Sequence, residues 1–258
     1  MKVSVEYKNC DTKNSYIIDI SPESSVEITL EFSRIVTAQS KKIHQACFIE
    51  LLKKELKKFE WLILGKVQIE INWLLNAVEK QETDKVGDLD NIIKPIIDTL
   101  SGADGLLIDD SQINSIHSTW TSKNGLIQDN IVKLTINFNN EYSISKKNLL
   151  FLQTDSVIYT PVNLDLNNKN ELKGMKLFIE AFKMKRTLAG KFKKELNTNV
   201  DRYLVYSEYE FHRTRLGGFD KNQIIKDTDF DYICKEKGID MESIISEFKN
   251  ILDNSSKD

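Results

Sequence analysis

The feature that most constrains the fold is a series of alternating apolar and polar runs around one long amphipathic stretch. Alternation typical of strands with one buried face occurs in VEITLEF (26–32) and GKVQIEINWLL (65–75). Between these two strands, apolar residues recur at helical spacing in AQSKKIHQACFIELLKKELKKFE (38–60), which predicts an amphipathic helix. Two further strand patterns follow at INSIHSTWTS (113–122) and NIVKLTINF (130–138). This order predicts a mixed α/β (α+β) fold whose sheet is at least partly antiparallel.

The chain of 258 residues is long enough for two modest domains, and its patterns change near residue 140. Ahead of that point, KVSVEY (2–7) and SYIIDI (15–20) predict two more strands. We expect one module in residues 1–140 and a second, accessory α/β module of unknown type in residues 141–258. Patterns in the second module predict strands in 149–166, a helix in 171–197, a strand and turn in 202–220, and a C-terminal helix in 240–253.

Composition narrows the class of protein. Charged residues make up 29% and hydrophobic residues 40%, as in an ordinary soluble protein. No apolar run approaches the ~20 residues of a membrane span. The three cysteines and three histidines are scattered, which favours neither a disulfide framework nor a histidine-based metal site. We expect a cytoplasmic protein without a membrane partner. Its net charge of −3 argues against a uniformly basic DNA-binding surface.

Four aspartates stand at the two ends of one helical run in residues 87–113, GDLDNIIKPIIDTLSGADGLLIDDSQI. Asp88 and Asp90 precede the run, and the SGADG turn leads back to Asp109 and Asp110. Carboxylates held close together repel one another unless a cation joins them, and oxygen ligands suit Mg²⁺. A carboxylate-bound Mg²⁺ activates water and neutralises a phosphodiester transition state. The sequence therefore predicts a metal site for phosphodiester hydrolysis.

The aspartates around the helical run also have a purely structural interpretation, as helix caps and turn residues. Asp90 or Asn91 suits the N-cap, with Pro95 near the first turn. Lys94 would add positive charge at a reacting phosphate. Asp98 follows it by four residues, where it either pairs with the lysine or stays solvated. Aspartates before helices and in turns are common without any metal, and the combination of both pairs with the lysine favours the metal site.

At this point the run DLDNIIKPIIDTLSGADGLLIDDSQI (88–113) resembles the signature of the RusA-type Holliday junction resolvases. The likeness extends loosely over residues 24–140 and does not reach residues 145–258. It implies a RusA-like mixed sheet with helices in the N-terminal module. It also implies a homodimeric endonuclease that uses Mg²⁺, or Mn²⁺, to cut phosphodiesters of branched DNA.

The resemblance also assigns roles by position. It makes Asp88, Asp90 and Asp110 the metal ligands, and Lys94 the catalytic lysine. Three neighbours are expected to support these residues without binding the metal themselves: Asn91, Asp98 and Asp109.

Basic residues elsewhere are candidates for nucleic-acid binding, although each run is also compatible with a solvated surface. They are Lys53, Lys54, Lys57 and Lys58 on the first helix, Lys183, Lys185 and Arg186 on the long helix, and Arg213 and Arg215 before Gly217. The three tryptophans lie in or beside strand patterns, which predicts core positions rather than base stacking.

The leading functional hypothesis is a metal-dependent, structure-selective endodeoxyribonuclease. A nuclease for RNA is a second hypothesis. The third is a catalytically silent RusA-fold module that binds nucleic acid or protein, for example in a mobile-element or defence system. The C-terminal module is expected to bind substrate or a protein partner.

Overall fold

A computed structural model describes residues 2–14, 23–32, 42–75, 89–123, 129–139, 142–240, 242–243 and 245–246, with the backbone alone for 42–48 and 89–91. The chain divides into two compact units, Met1–Lys146 and Lys147–Asp258. Each unit combines strands with helices, which confirms the mixed α+β class. Among the described helices, none is long and apolar enough to cross a membrane.

A five-stranded sheet organises the first unit. Its strands are β1 (Lys2–Lys8), β2 (Glu23–Phe32), β4 (Val67–Leu75), β5 (Ile113–Ser122) and β6 (Asn130–Asn139). They lie in the order β1-β2-β6-β4-β5, and β4 runs parallel to β5 while the other neighbours are antiparallel. A separate antiparallel pair joins β3 (Trp61–Ile63) to β7 (Ser143–Ser145). The partly antiparallel sheet was predicted, and the SYIIDI strand lies outside the described residues.

One face of this sheet forms the core of the first unit. Along β4, every second residue from Val67 to Leu75 is buried, whereas Gln68, Glu70 and Asn72 are exposed. The helices α1 (Lys42–Leu56) and α2 (Leu89–Leu100) contribute to the same core cluster. Their fully buried members are Leu52, Leu56, Ile96 and Leu100. Burying each such side chain stabilises the fold by roughly 1.5–3 kcal/mol.

The SGADG segment after α2 is a tight backbone turn. The Leu100 carbonyl accepts hydrogen bonds from the N–H groups of Leu106 (2.8 Å) and Leu107 (2.9 Å). Gly102 has a φ of 92°, a left-handed conformation that favours glycine. A Cβ added at Gly105 would overlap the Leu100 carbonyl. The turn therefore requires glycine, and it sends the chain from α2 back towards β3, where the N–H of Ile63 donates to Leu106 (2.8 Å).

Lys146 closes this turn from the other side. Its Nζ donates to the Gly105 carbonyl at 2.9 Å. Burial lowers the pKa of Lys146 to about 8, against the opposing attraction of Asp104. A half-buried lysine thus depends on one backbone carbonyl and one nearby carboxylate.

The second unit packs helices against a small sheet in the order β10-β9-β8-β11. The strands are β8 (Leu149–Asp155), β9 (Ile158–Asn163), β10 (Phe211–His212) and β11 (Ile224–Ile225). The helices are α3 (Lys169–Leu196), α4 (Asp201–Leu204) and α5 (Asp227–Glu236). Its core includes Leu152, Leu172, Ile179, Phe230 and Cys234.

The strand predicted at the start of 202–220 is wrong. The chain forms the single helical turn of α4 there, and only Phe211–His212 is a strand. Asn199 favours the turn because its side chain accepts from the N–H of Asp201 at 2.9 Å. The C-terminal helix predicted for 240–253 lies largely outside the described residues. At its start, Asp240 accepts from the N–H of Glu242 at 3.1 Å, as an N-cap would.

Gly105→Ala should destabilise the first unit by at least about 2 kcal/mol, because the new methyl group meets rigid backbone. Gly174→Ala on α3 of the second unit is the control, since an added Cβ there meets open space, and its unfolding is followed by circular dichroism of the whole chain. All three tryptophans lie in the first unit, so tryptophan fluorescence during urea unfolding measures its stability. An unchanged fluorescence midpoint in Gly105→Ala would contradict the backbone argument.

Lys146 should make the stability of the first unit pH-dependent. The folded pKa is about 8 and the ordinary value is 10.5, so between these values the unfolded chain binds more protons than the folded one. Stability relative to Lys146→Gln should therefore rise as the pH increases through this window. Urea unfolding followed by tryptophan fluorescence across the window tests this, with Lys54→Gln, at an exposed position on α1 of the same unit, as the control. A parallel pH profile for wild type and Lys146→Gln would exclude the effect.

Candidate functional site

An open groove of about 630 Å³ lies where α2 meets the Asp109–Asp110 turn and β5. Its polar lining comprises Lys94, Asp98, Asp110, His117 and Ser118. Ile93, Ile97 and Ile116 supply its apolar lining. Lys94 and Asp110, which are 16 positions apart in the printed sequence, thus face one cavity.

Helix α2 supplies one wall of this groove. It begins at Leu89, so Asp90 and Asn91 lie inside the first turn and the prediction that one of them is the N-cap is wrong. Asp88, and the side chains of Asp90 and Asn91, lie outside the described residues. Asp90 and Lys94 are four positions apart in one helix, and their backbones therefore share one stripe of α2.

Pro95 lies farther into α2 than predicted. It is in the second turn of the helix rather than the first, because the helix starts before Asp90. Proline has no N–H to donate to the carbonyl one turn back, which weakens the helix locally. The Thr99 hydroxyl donates to the Pro95 carbonyl at 2.6 Å.

Lys94 pairs with Asp98 at 3.3 Å, which settles the alternative left open by their spacing. The side chains are 66% and 50% exposed. An exposed i,i+4 pair contributes only about 0.3–0.5 kcal/mol. The pair therefore orients the Lys94 side chain along the groove, and because the pair is weak, the ammonium can still interact with a bound phosphate.

The two adjacent aspartates have different environments. Asp109 is the N-cap of a 3₁₀ turn, Asp110–Gln112, and its carboxylate accepts from the N–H of Ser111 at 3.0 Å. Asp110 is exposed and lines the groove. One carboxylate thus serves the local backbone, while the next faces the cavity.

Gln112 fixes the position of this turn. It is 2% exposed, and its Oε1 accepts from the N–H groups of Ile108 (2.7 Å) and Asp109 (3.1 Å). Its Nε2 donates to the carbonyls of Ile63 (2.7 Å) and Gly65 (3.0 Å). A single buried amide therefore joins the aspartate turn to the segment between β3 and β4, and all four of its hydrogen-bonding positions are used.

The sequence did not single out the β5 side of the groove. His117 was noted only as one of three scattered histidines, and it is exposed beside Glu70 of β4 in the sheet register. Ser118 has a buried Oγ with no hydrogen-bond partner among the described residues. The strand pattern of 113–122 predicted β5 itself, but no sequence signal indicated that β5 borders the groove, because that depends on the order of strands in the sheet.

Predicted metal ligands are only partly described. Among the described residues, no three His, Cys, Asp or Glu side chains are grouped closely enough to hold a metal ion. Asp110 is the one predicted ligand whose side chain is described, and the metal assignment stays a prediction.

The candidate DNA-binding lysines of the first unit differ in their surroundings. Lys57 pairs with Asp104 at 3.1 Å, and Lys58 pairs with Glu55. Lys53 and Lys54 lie in the last turn of α1, where cations suit the helix dipole. Each of these four lysines therefore has a plain structural role, either in a surface ion pair or at the end of the helix.

Two candidate cations of the second unit are engaged internally. Lys183 pairs with Glu180 (2.9 Å) and Asp227 (2.6 Å). Arg186 pairs with Asp155 (3.0 Å) and Glu210 (3.2 Å). Carboxylates of the same unit neutralise both charges, so we do not expect Lys183 or Arg186 to bind nucleic acid. Exposed side chains among the remaining candidates belong to Lys185, Arg213 and Arg215.

Lys176 is the centre of this internal network. Its side chain is 3% exposed and contacts Glu180 (3.2 Å), Asp227 (2.9 Å) and Asp231 (2.7 Å). Burial opposes its charged form, but hydrogen bonds to the carboxylates outweigh this and raise its pKa. The network joins α3 to α5, and it explains why a lysine-rich helix presents less positive charge than its sequence predicts.

The tryptophan predictions are confirmed. Trp61 and Trp73 are 2% and 3% exposed, and Trp120 is partly buried against the same core. Trp61 also donates its indole N–H to the Asp11 carbonyl at 2.8 Å. These rings stabilise the first unit and do not form a base-stacking surface.

Comparison with protein families gives an independent result. Residues 21–136 match the family described as Endodeoxyribonuclease RusA. No curated protein matches the chain. The resemblance of residues 88–113 is thereby confirmed, and the N-terminal half contains a RusA domain. The groove lies within this domain.

Gln112→Ala should destabilise the first unit by at least about 3 kcal/mol, because it removes four hydrogen bonds and leaves buried backbone groups unpaired. Gln68→Ala is the matched control, since Gln68 is exposed on β4. Tryptophan fluorescence during urea unfolding measures both. Equal midpoints for the two variants would show that the amide does not hold the turn.

Proposed function

We propose, from the RusA domain in residues 21–136, that the chain is a metal-dependent, structure-selective endonuclease that cuts phosphodiesters of branched DNA such as Holliday junctions. The observation that carries the proposal is that Lys94 and Asp110 face one open groove inside this domain. A cation-bearing helix and an acidic turn meeting in one cavity suit a phosphodiester, whose charge must be neutralised as it is cleaved.

The donor chemistry fits a hard divalent cation. Asp88, Asp90 and Asp110 are the proposed ligands, and all supply carboxylate oxygens, which Mg²⁺ and Mn²⁺ accept. In support, Asp110 lines the groove, and the backbone of Asp90 lies one helical turn before Lys94. When bound, such an ion supplies charge neutralisation at the phosphate and lowers the pKa of a coordinated water.

The chain's own residues have separate tasks in this proposal. The Lys94 ammonium stabilises negative charge that develops on the phosphate oxygens. Asp98 orients that ammonium through the 3.3 Å ion pair. Asp109 and Gln112 hold Asp110 at the groove by fixing the turn on both sides. Asn91 is proposed to support the ligands from the first turn of α2.

The substrate approaches the first unit from the groove side. On the solvent-facing side of the sheet, Glu27 pairs with Lys133 (3.9 Å) and Glu31 pairs with Lys2 (3.7 Å), so these lysines offer little free charge to phosphates. On the groove side, Lys66 donates to the Ser111 carbonyl at 3.1 Å and adds a cation beside the aspartate turn. A homodimer is proposed on symmetry, since two identical grooves can meet opposed strands of a junction with two-fold symmetry.

Asp110→Asn should reduce cleavage of a synthetic four-way junction in Mg²⁺ by at least roughly 100-fold, because it removes the negative charge of one proposed ligand and weakens binding of the divalent ion that would neutralise the phosphate. Asp109→Asn is the matched neighbour. It should retain most of the activity, since asparagine caps a helix as well as aspartate does. Paired nicks by wild type and Asp109→Asn, lost in Asp110→Asn, are the expected result.

Two results would overturn the proposal. Equal loss of cleavage in both variants would remove the distinction between the adjacent aspartates. No cleavage of junction, flap or duplex DNA by wild type, in Mg²⁺ or Mn²⁺, would favour the silent binding module. The net charge of −3 favours this second candidate, because an acidic protein binds DNA phosphates weakly. A requirement for a 2′-hydroxyl would identify an RNA nuclease instead.

A further inference from the structure

We propose that the end of α3 and the α4 turn form a surface that binds unpaired nucleotides of a DNA strand. This α3–α4 surface consists of Lys191, Lys193, Lys194, Arg202, Tyr203 and Tyr206. The choice of DNA rests on the proposed function, and the surface gives the second unit a role in substrate recognition.

The backbone holds this surface in a defined turn. Asn197 caps the end of helix α3: its φ of 49° reverses the chain, and its N–H donates to the Phe192 carbonyl. After the reversal, the Asp201 carbonyl accepts from the N–H groups of Val205 (2.9 Å) and Tyr206 (2.7 Å). Helix α4 packs against α3. Tyr203 and Tyr206 are therefore presented from one ordered turn rather than from a free strand.

The two tyrosines contribute little to the core. Tyr203 is 82% exposed and Tyr206 is 60% exposed. Leu196, the last residue of α3, is 62% exposed as well. Isolated exposed rings are common, but two within one turn beside a run of cations form an amphipathic surface. Every base presents a flat π-face, and stacking on such rings is the usual way in which proteins bind unpaired bases.

The cations of this surface are not neutralised in the way that Lys176, Lys183 and Arg186 are. In the part of the chain that the structure describes, no ion pair joins Lys191, Lys193, Lys194 or Arg202 to a carboxylate. All four side chains are exposed.

Helix electrostatics explain only part of this charge. The negative end of the α3 dipole accounts for Lys193 and Lys194 in the last turn. It does not account for Arg202, which lies beyond the helix end. Two carboxylates, Glu195 and Asp201, lie in the same stretch and leave it net positive. Positive charge beside exposed rings is complementary to the phosphates and bases of a single strand.

The surface fits unpaired nucleotides better than a closed duplex. Bases in a duplex are stacked on each other and do not offer their faces to a tyrosine. A branch point or a nicked product exposes such bases near the strand to be cut. The second unit would then supply affinity that the acidic first unit lacks.

Binding is measured with the full chain and a labelled 20-nucleotide oligothymidylate, by fluorescence anisotropy without divalent ions. The double variant Tyr203→Ala/Tyr206→Ala should bind at least about tenfold more weakly. The matched control is Tyr232→Ala on α5, which removes a 63% exposed tyrosine outside the α3–α4 surface and should keep the wild-type Kd. Replacing Lys191, Lys193 and Lys194 with glutamine should flatten the salt dependence of log Kd by about 0.7 for each phosphate that is no longer neutralised.

The result that overturns the inference is an unchanged Kd in the double tyrosine variant whose circular dichroism matches wild type. That outcome would indicate that the α3–α4 surface binds a protein partner instead of DNA. Equal weakening in Tyr232→Ala would also overturn it. Because binding is measured without divalent ions, the result does not depend on cleavage. If the chain binds the oligonucleotide through the tyrosines but cleaves no substrate, the proposed function is wrong and this inference stands.

Discussion

The candidate site depends on one buried amide. Gln112 bonds to backbone groups on both sides of the gap between the aspartate turn and the β3–β4 segment. A side chain of intermediate length and no charge is needed there, with both donors and acceptors at its end. Through this amide, the core of the first unit determines where Asp110 stands. The position of the exposed Asp110 carboxylate is thus fixed by Gln112, a side chain that is itself buried.

The charge distribution of the molecule follows a second physical constraint. A lysine-rich helix in a chain with net charge −3 must place some of its cations against carboxylates, and α3 does so through Lys176, Lys183 and Arg186. Buried charges of this kind are costly unless they are paired on several sides. Lys191, Lys193 and Lys194, at the C-terminal end of the helix, take part in none of the ion pairs among the described residues. An overall acidic protein can therefore present a locally basic surface.

Periodicity predicted most of the fold because burial of one sheet face imposes alternation on the sequence. The strands at 113–122 and 130–138 appear at the predicted residues, as do α1 and α3 within a few residues. The failures occurred where local polar bonds compete with periodicity. Asn199 started a helical turn where alternation indicated a strand, and α2 began before its apparent cap.

The candidate site was foreseen in part, for a related reason. Spacing on a helix made an ion pair of Lys94 and Asp98 one of two alternatives, since i,i+4 geometry is local, and the structure contains the pair. The resemblance separated Asp110 from Asp109, but spacing alone does not distinguish two adjacent aspartates, because their surroundings depend on the long-range contacts of Gln112. His117 and Ser118 were missed because sheet order, which brings β5 to the groove, is a tertiary property. The exposure of Tyr203 and Tyr206 was equally invisible to pattern reasoning.

The position of β5 limits how this protein can change over evolutionary time. In the described part of the sheet, β5 pairs only with β4, and three of its residues, Ile116, His117 and Ser118, line the groove. Edge strands readily join with strands of other molecules unless polar or charged side chains discourage it. Polar side chains can protect such an edge without covering it, and Asn114, Ser115 and His117 are exposed on β5. Apolar replacements at these three positions would therefore favour aggregation.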